Sequence, residues 1–103
     1  MEQKSPISRR LKKARSEANL SQKQLGIAIG IDQFVASARM NQYETGKHVP
    51  NYTVIVKIAD FLKIPESFFY TIEDDLAEII RTYGRLNKKE QRQLLNFARQ
   101  FLA

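Results

Sequence analysis

Cysteine is absent from this chain, which removes disulfide frameworks, zinc–thiolate sites and thiol nucleophiles together. Histidine occurs once, at position 48, so neither a metal cluster nor a catalytic dyad built on imidazole has material to form. No uninterrupted apolar run approaches the length that crosses a bilayer, and no signal-peptide hydrophobic region opens the chain. Paired carboxylates with a partner base, a glycine-rich phosphate loop and a nucleophile elbow are missing as well, so an enzyme is not expected. These absences leave the expectation of a cytoplasmic protein with no metal, no cofactor and no membrane partner.

The 103 residues suffice for one folded core, and they carry a net charge of +6. Residues 1–50 hold nine Lys or Arg against four Asp or Glu, whereas residues 51–103 hold eight against seven. Such an excess either solvates exposed helix faces or marks a surface for phosphate, and its location in one half of the chain is what links it to a motif.

That motif is the stretch from Ser21 to Gly46. Ser21 followed by Gln24 has the form of a capping box, so a helix starts at Gln22 with Leu25 and Ile29 one turn apart on its inner face. Gly30 supplies the positive φ that stops this helix and turns the chain. In a second helical run Val35, Met40 and Tyr43 are apolar or aromatic at helical spacing, while Ser37, Arg39 and Gln42 project outward. Gly46 ends it.

Together with small Gly26, where two helices must approach closely, and the closing Glu44-x-Gly46, this pattern resembles the helix-turn-helix of the Cro/CI-type (Xre) regulators, over roughly residues 7–69. The resemblance implies an all-α fold, a five-helix lambda-repressor-like DNA-binding domain over residues 1–70, followed by a C-terminal helical hairpin over residues 71–103 that serves as a dimerisation element. It further implies that Ser37, Ala38, Arg39 and Gln42 read base edges. Ser21, Gln22, Lys23, Thr45, Lys47, His48 and Arg10 fall to phosphate contacts, and Arg15 pairs with Glu44. Arg15 read without the family is one more solvated cation.

The chain departs from the family between Gly30 and Glu44, where it holds about one extra helical turn of backbone. Ile27, at a position the family leaves polar, suggests a cover supplied by the inserted residues 31–34. Two conformations are open: a separate short helical turn over residues 31–34 with the second motif helix starting near Val35 or Ala36, or one helix running on from an Asp32 cap.

Elsewhere the elements follow from caps and periodicity. Ser5-Pro6 opens a first helix with Ile7, Leu11, Ala14 and Ala18 as its stripe. Asn51 caps a helix carrying Val54, Ile55, Ile58 and Leu62, and residues 66–70 form a short fifth helix. Beyond Thr71, acidic residues open a helix with Leu76, Ile79, Ile80 and Tyr83 on one face, and Gly84 invites a stop. Asn87 and Glu90 start a last helix with Leu94, Leu95, Phe97, Ala98, Phe101 and Leu102. Leu76, Ile80, Tyr83, Leu94, Leu95, Phe97, Phe101 and Leu102 make a face too wide for two helices to cover mutually, which points to a homodimer. The function expected is a sequence-specific transcriptional regulator, a repressor, whose partner is double-stranded DNA. An alternative is an antitoxin-like interaction module that neutralises a partner protein and controls its own operon.

Overall fold

The computed structural model describes residues 5–103. Seven α-helices and no strand lie among them: α1 (Ile7–Glu17), α2 (Gln22–Ala28), α3 (Ala36–Thr45), α4 (Tyr52–Leu62), α5 (Ser67–Tyr70), α6 (Asp74–Arg85) and α7 (Lys88–Gln100). The all-α architecture of five helices followed by a C-terminal helical pair is the one expected from the sequence. No helix among the described residues is long and apolar enough to cross a membrane.

Three helices, α2, α4 and α7, start at side-chain caps. Ser21 Oγ accepts from the Gln24 amide at 2.9 Å, and Gln24 Oε1 accepts from the Ser21 amide at 2.8 Å. Asn51 Oδ1 accepts from the Val54 amide, and Asn87 and Glu90 form a second reciprocal box. Each satisfies amides that have no partner inside a helix, an effect of about 1 kcal/mol per cap. α2 ends at Gly30, φ 94°, where Ile31 N bonds to Gly26 O and Gly30 N to Ile27 O. Asn19 and Lys63, both at φ 58°, end α1 and α4 through the same pair of bonds, a turn that a non-glycine residue adopts at some cost. Ala18 lies past the end of α1 and is exposed, so the α1 stripe is Ile7, Leu11 and Ala14.

Leu11, Leu25, Met40, Ile55, Ile58, Phe68 and Phe69 are fully enclosed and draw α1 to α5 around one core. Full burial of each such side chain contributes about 1.5–3 kcal/mol. The two phenylalanines of α5 meet edge to face, with ring centroids 5.3 Å apart.

α6 shares this core, and it does so with a face the apolar periodicity does not mark. Ala77 and Arg81 are its buried residues and Ile80 packs partly on the core, while Leu76, Ile79 and Tyr83 point to solvent. Gly84 does not stop α6, which runs on through Arg85. A Cβ at Gly84 would meet Pro65 Cδ at 2.6 Å, so the glycine lets the helix lie against the loop between α4 and α5. α7 follows a tight turn and buries none of its residues. The Gln91 side-chain amide donates to Tyr83 O at 2.9 Å and ties its start to the end of α6.

Candidate nucleic-acid interface

α2 and α3 pack on each other through a contact that admits no side chain on one side. A Cβ added to Gly26 would stand 2.9 Å from Ala36 Cβ, closer than such carbon atoms approach, and 3.1 Å from Met40 Cγ, which would have to give way. With Ala36, Met40 and Tyr43 facing the core, Ser37, Ala38, Arg39 and Asn41 occupy the exposed surface of α3, and Gln42 is half-buried at its edge.

The C-terminal end of α3 is held by a polar network. Arg15 Nε donates to Glu44 Oε2 at 2.5 Å and Arg15 Nη2 to Glu44 Oε1 at 3.0 Å, a two-point contact between α1 and α3. Arg15 Nη1 donates to Leu20 O, and Gln22 Nε2 is shared between Glu44 Oε1 and Asn41 Oδ1, both at 3.2 Å. Only 3% of the Glu44 side chain and 14% of that of Arg15 meet solvent. The hydrogen bond to Glu44 raises the Arg15 pKa above its usual value, outweighing the opposing effect of burial, and the attraction of the Glu44 charge adds to it.

Gly46 at φ 81° turns the chain out of α3, and the following loop folds back so that His48 N donates to Gln42 O at 3.2 Å. Thr45 Oγ1 donates to the same carbonyl. Arg39, Gln42, Tyr43, His48 and Val49 thereby line one shallow depression, with Lys47 exposed beside it. Ser21 and Lys23 are exposed at the start of α2, and the amide of Gln22 is engaged with Glu44 and Asn41. Among the described residues, no group of His, Asp and Glu side chains is placed to hold a metal ion.

Arg10 does not belong to this surface, and its assignment to phosphate is corrected here. It is 3% exposed, its Nε donates to Thr71 O and its Nη2 to Ile72 O, both at 3.0 Å, and Nη2 pairs with Asp74 at 2.9 Å. Its guanidinium lies 5.7 Å from the Phe68 ring centroid. Arg81 of α6 lies 5.2 Å from the same ring and pairs with Glu17 of α1 and, at 2.6 Å, with Glu78. These two arginines fasten α6 to α1.

Of the two forms expected from the sequence, the start of α3 at Ala36 agrees with the separate turn and not with one helix running on from Asp32, although the turn itself is not helical. Residues 33–35 form a hydrogen-bonded turn, not a helix, and α3 begins at Ala36. Asp32 makes the turn: its carboxylate accepts from Phe34 N at 3.0 Å and its carbonyl from Val35 N at 3.1 Å. Ile31 packs on the core, but Phe34 is 87% exposed and leaves Ile27 45% exposed, so the insertion is no cover for Ile27.

Asn41 is the surface residue that sequence reasoning missed. Its positions relative to Ser37 and Ala38, four and three residues on, were the available signal, because such spacings share a helix face. Of the residues assigned to a dimer, Leu76, Tyr83, Leu95, Phe97, Phe101 and Leu102 are exposed, and Ile80 and Leu94 are partly buried.

A family model described as a helix-turn-helix domain matches residues 8–85, from α1 to the end of α6, and the chain belongs to that family. Among solved structures, the crystal structure of the transcriptional regulator BswR is similar, with a TM-score of 0.86 and 44% sequence identity over 91% of this chain and 93% of that one. No curated protein matches the sequence significantly.

Proposed function

We infer that the protein is a DNA-binding transcriptional regulator of the Cro/CI (Xre) type, acting in the cytoplasm as a repressor. The observation that carries this reading is the outer face of α3, polar and exposed, anchored at its far end by the Arg15–Glu44 pair. Likeness to the transcriptional regulator BswR supports it.

In this reading α3 enters the major groove. Arg39 donates in bidentate fashion to guanine O6 and N7, Gln42 pairs with adenine N6 and N7, Ala38 meets a thymine methyl, and Ser37 contacts a neighbouring edge. Ser21, Gln22, Lys23, Thr45, Lys47 and His48 set register on phosphates, a role that carries affinity without sequence information. The outward apolar faces of α6 and α7 join two copies, which places two α3 helices in successive grooves about 34–36 Å apart and selects a near-palindromic site. Residues 71–103 thus act as the dimerisation element even though α6 shares the core.

Selection from a random duplex library tests the reading. Recovery of a two-fold symmetric sequence supports it. Retention of all duplexes alike, or of none, contradicts it.

A further inference from the structure

Phe34 stands in the open at the entrance to α3, although Ile27 offers an apolar surface nearby in the chain. We propose that the Phe34 ring reads the 5-methyl group of a thymine at the edge of the site that α3 engages, an inference that rests on the DNA-binding function above.

The backbone that carries the ring is fixed. Both hydrogen bonds that Asp32 accepts close the turn at residues 34 and 35, and Val35 O accepts from Arg39 N at 2.9 Å, so the turn runs into the first turn of α3 without a flexible joint. Phe34 is therefore held at the N-terminal end of the helix, the end that helix-turn-helix proteins direct at base edges. Its chemistry narrows the ligand. Its neighbours Val35 and Ala38 are also exposed and apolar, and the one charge in the turn, Asp32, is tied to the Phe34 amide. The exposed Gln33 and Ser37 beside it suit hydrogen-bonding base edges, but the ring itself does not, and the thymine methyl is the apolar group that the major groove presents. A single ring with half-exposed neighbours is also small for a protein partner, since stable interfaces bury about 800 Å² on each side.

Replacing thymine by deoxyuridine removes that methyl and nothing else. Each thymine of the selected site is exchanged in turn, and Kd is measured for the full chain and for Phe34→Ala and Phe34→Leu. Besides the thymine that meets Ala38, one further thymine per half-site is expected to lose about fourfold in affinity on exchange, the effect of burying one methyl group. Phe34→Ala is expected to bind the thymine duplex more weakly and to be indifferent to exchange of that further thymine alone, Phe34→Leu to keep part of the sensitivity, and both to melt as the parent does, because the ring lies outside the core. A parent protein that tolerates uracil everywhere overturns the inference, as does a set of uracil penalties that Phe34→Ala leaves unchanged at every position; either leaves the DNA-binding function intact and the ring free for a protein partner. A parent that binds no duplex overturns that function and this inference together.

Discussion

Arg15 of α1 and Glu44 of α3, 29 residues apart in sequence, face each other in a two-point ion pair whose carboxylate is almost sealed from solvent. The pair joins α1 to the end of α3. Removing one partner of such a pair leaves the other charge uncompensated, at a cost of roughly 3–5 kcal/mol. Glu44→Gln is expected to lower Tm clearly, against a small shift for the exposed Asp60→Asn. Equal shifts for the two variants would show that solvent already screens the pair. Because the Arg15 pKa is raised, its contribution is complete below the unfolded guanidinium pKa and is lost only as pH rises through the folded value, so Arg15 gives no pH dependence near neutrality.

Gly26→Ala places a methyl group into Ala36 and Met40. Overpacking of this kind costs about 1–3 kcal/mol and shifts backbone. The variant is expected to melt earlier and to bind DNA less well, and the second change Ala36→Gly to restore part of both. Parent-like melting of Gly26→Ala in calorimetry would mean that α2 and α3 are free to part.

Arg81 and its acidic partners are expected to behave unequally. Arg81 is 7% exposed and its Nε has no partner, whereas the Glu17 and Glu78 side chains are nearly half exposed. Arg81→Met returns two carboxylates to water and keeps an apolar contact with Phe68. The double variant Glu17→Gln, Glu78→Gln strands a buried guanidinium instead. Chemical denaturation should therefore find the double variant less stable than Arg81→Met, and the reverse order would contradict this view of how α6 is fastened.

Much of this was legible in the sequence because it is local. Ser21 with Gln24, Asn51 with Val54, and Asn87 with Glu90 act within one turn, and Gly30 and Gly46 act on their own backbone, so helix starts and stops could be read from neighbours in the chain. Three differences from the sequence reading have a distant partner as their cause. Arg10 reads in sequence as a surface cation because the carbonyls of Thr71 and Ile72 that bury it lie 61 and 62 residues on. Gly84 suggested a stop because Pro65 was not known to lie against it. α6 turns Ala77 and Arg81 inward, since Glu17 neutralises the arginine from α1, and periodicity alone favoured the apolar stripe that faces out. Phe34 follows from a single carboxylate, that of Asp32, which closes a turn where a helical turn was expected.

Tyr52 gives a pH-dependent signature. Its hydroxyl donates to Glu66 at 2.7 Å, and that bond, more than the Glu66 charge, raises its pKa above the usual tyrosine value. Tyr70 is raised as well, first by burial and then by the Glu66 charge. Any stability from these tyrosines is present below the ordinary tyrosine pKa and disappears as pH rises through the folded values. Ultraviolet titration of Glu66→Gln is expected to show tyrosine ionisation beginning at lower pH than in the parent, and coincident curves would rule out the contact.

The outward faces of α6 and α7 are the proposed contact between two copies. Ile79→Glu together with Phe97→Glu is expected to sediment as a monomer with an unchanged helical spectrum, since both side chains are exposed. The same variant should lose most of its affinity for a two-fold site while keeping base preference in each half. A parent chain that is monomeric at tens of micromolar would remove this contact from the account.

The central claim is that α3 reads bases, and Arg39 tests it most directly. Binding sites are selected from a random duplex library with the parent chain and with Arg39→Ala, and the two preference profiles are compared position by position. Preference for guanine at one base pair per half-site is expected to collapse, by about 1–3 kcal/mol of discrimination, while the other positions keep theirs. Lys47→Ala, run alongside, should weaken every sequence alike and flatten the salt dependence. An Arg39→Ala profile identical to that of the parent would contradict the claim.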